Sequence, residues 1–290
     1  MKQLRGKVAV ITGAGSGIGR ALAVALGRHG ARVAVSDINA DDVAQTALIV
    51  AATGAETRHY VLDVTDAAAV QAHADQVVAD FGHVNLLINN AGVAMVGDVV
   101  DMSLADIGWV MDVDYWGVVH GTKAFLPHLI SSSDGHLVNV SSLFGLMSAP
   151  SQSAYNSAKF AVRGFTEALR MEMLSAGHRV GVSCVHPGGI KTNVVRNSRT
   201  AGDVDHAAVV QRFEQLLAKT SADKAAQVIL RGVQRNKARI LVGADAHALD
   251  AVVRALGPAY QRLVVAQTRR FLATGQAKAG TTRRGVSRRW

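Results

Sequence analysis

Short runs of apolar, β-branched residues alternate along the chain with longer segments whose apolar positions recur at helical spacing. This alternation is typical of βαβ units, which build a parallel sheet with helices packed against it. The predicted strands are 8–11, 32–36, 57–62, 84–88, 136–140, 180–185 and 238–242, and the predicted helices are 18–28, 41–52, 66–81, 104–130, 154–174 and 222–235. The pattern therefore predicts a doubly wound α/β fold with a seven-stranded parallel sheet and helices on both faces.

The domain organisation follows from what interrupts this pattern. No linker, repeat or low-complexity stretch divides it, so we expect a single domain over residues 1–273. Segment 191–217 is too long for an ordinary connection between secondary-structure elements, which makes it a candidate substrate lid. Residues 245–273 are predicted to add a C-terminal helical extension, and the basic residues 274–290 to form a disordered tail.

Composition excludes several classes of protein. With 49% hydrophobic and 18% charged residues, the 290-residue chain is too apolar to be disordered over most of its length. The single cysteine, Cys184, excludes a disulfide framework, and the 11 histidines show no clustered ligand spacing, so we expect no metal site. No apolar run is long enough to span a membrane, and the N-terminus lacks the apolar core of a signal peptide, so we expect a cytoplasmic protein.

The net charge of +9 comes from the end of the chain. Residues 251–290 contain nine Lys or Arg and no Asp or Glu, whereas the first 250 residues carry 22 charges of each sign. A nucleic-acid-binding fold should carry its basic face on the folded body, so we expect no nucleic-acid partner.

Two interpretations of this basic end are open. Apolar residues recur there at helical spacing with arginines between them: Val252, Leu256, Tyr260, Leu263 and Val264, beside Arg254, Arg262, Arg269 and Arg270. Such a helix could lie on an anionic membrane, or it could pack on the domain or on a neighbouring subunit. Gly257-Pro258 interrupts the pattern, which favours the packed helix over peripheral membrane contact.

The first strand-to-helix junction is rich in glycine and reads Thr12-Gly13-Ala14-Gly15-Ser16-Gly17-Ile18-Gly19. Glycines at such a junction permit a sharp turn and let a pyrophosphate approach the free N–H groups at the helix N-terminus. The spacing, Gly13-x-x-x-Gly17-x-Gly19, departs from the usual G-x-G-x-x-G frame, and glycine could serve the turn alone. Its place between the first strand and a helix favours a dinucleotide site formed by Gly13, Ser16, Gly17, Ile18 and Gly19.

Asp37 follows the second predicted strand. A carboxylate in this position accepts hydrogen bonds from both ribose hydroxyls of an adenosine and repels a 2′-phosphate. An ordinary turn residue is the alternative interpretation. Because neither Ser16 nor Ile38 is basic, we expect NAD(H) rather than NADP(H) as the cofactor.

Tyr155 and Lys159 lie four residues apart on a predicted helix and hence on one of its faces. A free phenol, with a pKa of about 10, is a poor base at neutral pH, but a neighbouring ammonium and an oxidised nicotinamide ring both favour the phenolate. Taken alone, the two residues could equally be an incidental surface pair.

Further motifs accompany the glycine-rich junction and this pair in chain order: Asp63-Val64, Asn89-Asn90-Ala91-Gly92, Ser141-Ser142 and Pro187-Gly188-x-x-x-Thr192. The complete set resembles the classical short-chain dehydrogenase/reductase family, over about residues 5–245. The resemblance implies a Rossmann-type fold and an NAD(H)-dependent oxidoreductase that transfers a hydride between nicotinamide and a ketone or secondary alcohol.

The resemblance also implies a role for each matching residue. Tyr155 matches the catalytic acid/base, Ser142 the residue that hydrogen-bonds the substrate oxygen, and Lys159 the residue that lowers the pKa of the tyrosine and binds the nicotinamide ribose. The other implied cofactor contacts are Asp63, Val64, Asn90, Gly92, Pro187, Ile190 and Thr192.

One position departs from the family pattern. The family usually has Asn in the long helix before the serine, whereas this chain has Asp114, which joins Ser142, Tyr155 and Lys159 in the predicted catalytic set. An ionised Asp114 near Lys159 would raise the pKa of Tyr155, whereas an Asp114 kept protonated by burial would mimic the amide. We favour the ionised carboxylate.

Apolar residues that follow two of the motifs are predicted to contact a hydrophobic substrate: Met95, Val96, Leu143, Phe144 and Met147. The alternative, that these are ordinary core side chains, applies to at least half of them.

Two other functions are weighed against this one. Reductases of 3-oxoacyl chains on an acyl carrier protein carry basic docking residues where this chain has Ser133 and Ala176. A catalytically silent NAD-binding sensor or scaffold would fit the altered Asp114, but the other three catalytic matches are intact. The resemblance further implies a homodimer or homotetramer packed through helices 104–130 and 154–174.

Overall fold

The computed structural model describes residues 1–266. The predicted tail 274–290, together with Arg269, Arg270 and the end of the predicted extension 245–273, lies outside these residues. The central strands are β1 (Val8–Thr12), β2 (Arg32–Asp37), β3 (Thr57–Val61), β4 (Leu86–Asn89), β5 (Gly135–Val140), β6 (Val180–Pro187) and β7 (Arg239–Val242). They pair in parallel in the order β7-β6-β5-β4-β1-β2-β3, which confirms the predicted seven-stranded parallel sheet.

The helices are α1 (Gly17–Arg28), α2 (Ala40–Ala51), α3 (Ala67–Phe81), α4 (Leu104–Met111), α5 (Gly117–Ser131), α6 (Ser153–Ser175), α7 (His206–Arg212), α8 (Ala222–Gln234) and α9 (Ala244–Leu256). The predicted helix 104–130 is not α-helical throughout, because a π-helical turn, Asp112–Trp116, joins α4 to α5. Turns of this kind inside helices occur frequently at functional sites, and this one contains Asp114.

Successive side chains of the strands enter two apolar cores, one on each face of the sheet. Ile11 of β1 belongs to the core that includes Leu22 of α1 and Ile229 of α8. The preceding residue, Val10, belongs to the core that includes Phe125 of α5. Helices α1, α2 and α8 therefore cover one face, and α3, α5 and α6 cover the other, which confirms the doubly wound fold.

The chain reverses its progress across the sheet between β3 and β4. Strands β1 to β3 advance toward one edge, and β4 then pairs with the opposite side of β1. The connections that leave the carboxyl ends of β1 and β4 therefore diverge. In doubly wound proteins the crevice opened by this divergence is the usual place for a ligand.

Segment 191–217 is tied to its surroundings by short strand pairings. Ile190–Lys191 pairs with Thr220–Ser221, and Arg199–Thr200 pairs with Met95–Val96. The rest of the segment includes α7 and a second π-helical turn, Phe213–Leu217. The candidate lid is therefore a partly structured insertion rather than an open loop.

The part of the C-terminal extension that the structure describes packs on the domain. Helix α9 ends before Gly257-Pro258, and residues 260–266 continue as a second helical segment. Tyr260 and Val264 pack in an apolar cluster with the loop after β5, while Val252, Leu256 and Leu263 are exposed. This arrangement favours the packed helix of the two interpretations. Among residues 1–266 no helix is both long and apolar enough to cross a membrane.

Candidate active site

A cavity of about 520 Å³ lies at the carboxyl ends of the central strands. Its walls come from the connections that follow strands β1 to β6 and from helices α4 and α6. The lining includes most of the predicted cofactor and catalytic residues: Gly13, Ser16, Gly17, Ile18, Asp37, Asp63, Val64, Asn90, Gly92, Ser142, Tyr155, Lys159, Pro187, Ile190 and Thr192. The structure thus brings residues from each of the family motifs into one cavity.

The N-terminus of α1 opens into this cavity with its backbone N–H groups available. The N-cap residue, Ser16, makes no side-chain capping hydrogen bond within residues 1–266, and the first turn of α1 has no acidic residue. By contrast, Asn39 caps α2 and Asp66 caps α3. An uncapped helix N-terminus satisfies its N–H groups with water or an anion, so the site fits the pyrophosphate of a dinucleotide.

Gly19, the last glycine of the junction, does not line the cavity. A Cβ atom at this position would collide with the carbonyl oxygen of Gly13 and approach the Asn90 amide to 2.7 Å. Gly19 therefore permits close packing of α1 against the strand ends, and its contact with a cofactor stays a prediction.

The surroundings of Asp37 are compatible with both interpretations that the sequence leaves open. Its two carboxylate oxygens accept hydrogen bonds from the N–H of Gly15 (2.8 Å) and the N–H of Asn39 (3.0 Å), so it does shape the local turn. The carboxylate also lines the cavity, and an ionised carboxylate has about four acceptor positions. Acceptor capacity therefore remains for the hydroxyls of a ribose.

Asn90 ties the carboxyl end of β4 to that of β1. Its amide donates to the carbonyl oxygens of Thr12 (3.1 Å) and Gly13 (3.0 Å). The Thr12 hydroxyl accepts in return from the N–H groups of Asn90 (3.1 Å) and Ala91 (3.2 Å). These bonds fix the width of the crevice between the two diverging connections.

The predicted catalytic side chains stand together at the end of β5 and the start of α6. The Lys159 Nζ atom lies 5.5 Å from the centroid of the Tyr155 ring. The hydroxyl of Ser141 donates to the carbonyl oxygen of Lys159 (2.8 Å), which locks the end of β5 onto α6. Ser142 follows in extended conformation and faces the same cavity as Tyr155.

Burial raises the pKa of the Tyr155 phenol above its ordinary value. The ammonium of Lys159 opposes this rise, the charge of Asp114 adds to it, and a hydrogen bond from Ser142 opposes it again. Tyr155 is therefore neutral at physiological pH and able to donate a proton. The positive charge of an oxidised nicotinamide would favour the phenolate further.

Asp114 forms a buried ion pair with Lys159. The carboxylate is fully buried, its Oδ2 atom lies 3.2 Å from Lys159 Nζ, and its Oδ1 atom accepts a hydrogen bond from the N–H of Val93 (2.7 Å). Burial lowers the pKa of Lys159, but the charges of Asp114 and Tyr155 and the hydrogen bond to Asp114 together hold that pKa above its ordinary value.

The protonation state of Asp114 follows from what surrounds each oxygen. Burial raises the pKa of Asp114, while Lys159 and the Val93 N–H group oppose that rise. A proton on Oδ2 would face the Lys159 ammonium, and within residues 1–266 Oδ2 has no hydrogen-bond acceptor to receive it. The geometry therefore favours the ionised carboxylate.

Two residues that the sequence analysis did not single out hold the loop that begins at Ser142. The amide of Asn156 donates to the carbonyl oxygens of Phe144 and Met147 (2.8 Å each), and its oxygen accepts from the N–H of Ala149 (3.2 Å). His186 at the end of β6 lies 2.8 Å from the carbonyl oxygen of Ser142 through Nδ1. Burial lowers the pKa of His186 to about 4, so the ring is neutral and donates its Nδ1 proton.

The five residues predicted to contact substrate do not line the cavity. Met95 is buried in a small core with Met102 and Val110, and Leu143 and Met147 pack against Tyr260. Their burial favours the alternative interpretation, core side chains, for these three. Val96 pairs with Thr200 of the candidate lid, and the Phe144 and Tyr155 rings are nearly perpendicular, with centroids 6.2 Å apart. Sequence could not show that the C-terminal extension covers the loop after Ser142.

Other side chains complete the lining of the cavity. They come from the connection after β4, from α4 and from the candidate lid: Val93, Trp109, Asn193, Val194, Asn197 and Phe213. The Arg199 guanidinium of the lid stacks on the Trp109 ring, 3.7 Å from its centroid. The lid therefore reaches the cavity wall that α4 provides.

Comparison with known proteins agrees with this geometry. The family model described as short chain dehydrogenase matches residues 7–203. The Mycobacterium tuberculosis protein SadH, named as an oxidoreductase, is 54% identical over 271 residues, which cover 93% of this chain and 98% of SadH. A solved short chain dehydrogenase/reductase from Burkholderia phymatum in complex with NAD has a TM-score of 0.82 at 32% identity, and the match covers 88% of this chain and 95% of that one.

One solved structure that matches less closely contains the other nicotinamide cofactor. A metagenomic short-chain oxidoreductase in complex with NADP has a TM-score of 0.68 at 28% identity, and the match covers 82% of this chain and 97% of that one. Similar structures thus hold either dinucleotide, and the residues near the adenosine ribose must decide between them.

The buried ion pair predicts coupled losses of stability. We expect Asp114→Asn and Lys159→Met each to lower the free energy of unfolding by about 3–5 kcal/mol, because each leaves one buried charge without its partner. The double variant should lose less than the sum of the two, with a coupling energy of about 1–3 kcal/mol. Urea unfolding of the four proteins at pH 7 measures this. Additive losses, or an Asp114→Asn variant as stable as the wild type, would show that the carboxyl is neutral.

Proposed function

The chain belongs to the short-chain dehydrogenase family, and on that premise we propose that it is an NAD(H)-dependent oxidoreductase that interconverts a hydrophobic ketone and a secondary alcohol. The observation that carries the proposal is the convergence of Ser142, Tyr155 and Lys159 on one cavity with the uncapped N-terminus of α1. Hydride chemistry and proton transfer could therefore occur at one place.

The residues that would hold the dinucleotide follow from the cavity. The N–H groups at Gly17 and Ile18 face the place for a pyrophosphate, and Asp37 is available to the hydroxyls of the adenosine ribose. Ile190 and Thr192 also line the cavity. When bound, the nicotinamide supplies or accepts the hydride, while the protein supplies orientation and proton transfer.

Tyr155 and Ser142 both interact with the substrate oxygen. In reduction, Tyr155 donates its phenolic proton to the carbonyl oxygen, and in oxidation it takes the proton back from the alcohol. Ser142 hydrogen-bonds the same oxygen and keeps it within reach of the phenol. A positioned acid/base group of this kind contributes about 10²–10⁴ in rate.

The cavity walls support a largely apolar substrate. Apolar surface comes from Val93, Trp109, Val194 and Phe213. The side-chain amides of Asn193 and Asn197, on the candidate lid, add polar groups to this wall. Such a lining favours a hydrophobic ketone or secondary alcohol over a highly charged one. Segment 191–217 would act as the lid, since it supplies much of this wall.

Two features weigh against the other functions. A reductase of chains on an acyl carrier protein would carry basic docking residues where this chain has Ser133 and Ala176. A silent NAD-binding sensor would not need Ser142 and Tyr155 to face the place of the substrate.

A homodimer or homotetramer packed through the long helices accords with family membership. Trp116, the last residue of the π-helical turn before α5, and Phe160 on α6 are 45% and 38% exposed. Large apolar side chains on such helices are candidates for a subunit interface, and sedimentation velocity tests the proposal.

The first prediction concerns the cofactor. NADH should bind about 30–1,000-fold more tightly than NADPH, because a 2′-phosphate beside Asp37 loses hydrogen bonds and meets a negative charge. Fluorescence titration with both cofactors measures the ratio. The matched variant Asp37→Asn, which removes the charge but keeps an acceptor, should narrow that ratio. Equal affinities in the wild type, or a preference for NADPH, would refute the assignment.

The second prediction concerns proton transfer. Tyr155→Phe should lower kcat by about 10²–10⁴, because the ring and its packing persist while the proton donor is lost. The dissociation constant of NADH should stay within a few-fold of the wild type. A panel of ketones and secondary alcohols, scored by NADH fluorescence, identifies a substrate and then compares the two proteins. A variant that keeps at least one third of wild-type activity would show that another group moves the proton.

A further inference from the structure

The C-terminal extension touches the active site at a point that family motifs do not cover. Residues 244–266 lie beyond the part of the chain matched by the family model, which ends at residue 203. Tyr260 in this segment is 9% exposed, and its hydroxyl accepts a hydrogen bond from the N–H of Ser148 (2.9 Å). Its ring packs with Leu143 and Met147 in an apolar cluster.

The loop that Tyr260 contacts is the one that carries the catalytic serine. Residues 143–148 follow Ser142 directly, and Phe144 of this loop contacts the Tyr155 ring edge-on. On its other side the loop is held by Asn156, which neighbours Tyr155 on α6. The loop is therefore clamped between α6 and the C-terminal extension.

The same extension holds a second wall of the cavity. Asp245, in the first turn of α9, accepts a hydrogen bond from the N–H of Gly189 (2.7 Å). The adjoining residues Pro187 and Gly188 line the cavity. Two loops on the substrate side thus depend on contacts from one terminal segment.

We propose that the C-terminal extension is a positioning element of the active site, and that Tyr260 is the positioning residue that sets the loop after Ser142. The proposal rests on the proposed function for its kinetic consequence, but its structural part does not. Holding Ser142 within reach of the substrate oxygen matters because small displacements of a catalytic group reduce the rate of the chemical step.

The test compares three variants of the full-length chain. Tyr260→Ala removes the ring and the hydroxyl, Tyr260→Phe removes the hydroxyl alone, and Leu263→Ala trims a side chain of the same helical segment that is 56% exposed. Hydrogen exchange followed by mass spectrometry measures how fast the backbone amide hydrogens of residues 143–149 exchange with solvent. We expect exchange there to accelerate by about tenfold in Tyr260→Ala, less in Tyr260→Phe and not at all in Leu263→Ala.

Kinetics then separate positioning from a general loss of structure. With the substrate found in the panel, Tyr260→Ala should lower kcat/KM by about tenfold, with Tyr260→Phe in between, while the dissociation constant of NADH is unchanged. Unchanged exchange in both Tyr260 variants, an equal response in Leu263→Ala, or faster exchange without a loss of kcat/KM would overturn the proposal. If the wild type turned over no substrate, the proposed function would fail, and the exchange result would still decide whether Tyr260 holds the loop.

Discussion

A lysine ammonium buried in a protein needs a counter-charge close by, and the Lys159 ammonium finds it in Asp114. The side chains are 5% and 0% exposed, and their charged atoms are 3.2 Å apart. Much of the catalytic end of the molecule is arranged around this pair. Gly92 leaves room for it, because a Cβ atom there would approach Asp114 Oδ1 to 3.1 Å and Lys159 Nζ to 3.3 Å. The π-helical turn carries Asp114 on the helix that faces α6. The charge of Lys159 that acts on Tyr155 is therefore partly neutralised before any cofactor binds.

Around this pair the site is held by buried hydrogen bonds that join elements distant in sequence. Asn90 and Thr12 join the ends of β4 and β1, Ser141 joins β5 to α6, and His186 joins β6 to Ser142. In each case a side chain hydrogen-bonds a backbone group of a segment distant in sequence. Such bonds contribute modestly one by one, but a buried polar group left without one is costly. The catalytic side chains are therefore placed by the fold and not by contact with one another alone.

The fold and the motif-bearing part of the site could be predicted from the sequence because both are local in character. Alternating β-branched runs and helices gave the parallel sheet, and Tyr155 and Lys159 four residues apart shared a helix face. What could not be predicted depends on contacts between distant segments. Met95 lies in a core with residues of α4, α6 and the segment that pairs with it at Arg199–Thr200, and Leu143 packs against Tyr260. The π-helical turn at Asp114 could not be predicted from the sequence either, because its residues continue the helical pattern of the segments on both sides.

The central claim is that an ionised Asp114 opposes Lys159 and keeps the pKa of Tyr155 high. The pH dependence of alcohol oxidation tests it most directly, in the wild type and in Asp114→Asn, which keeps the hydrogen bond to Val93 but removes the charge. Because loss of a nearby negative charge favours the phenolate, the rise in kcat/KM on the alkaline side should move to lower pH in the variant, with both proteins active. A profile that does not move, or that moves to higher pH, would contradict the account.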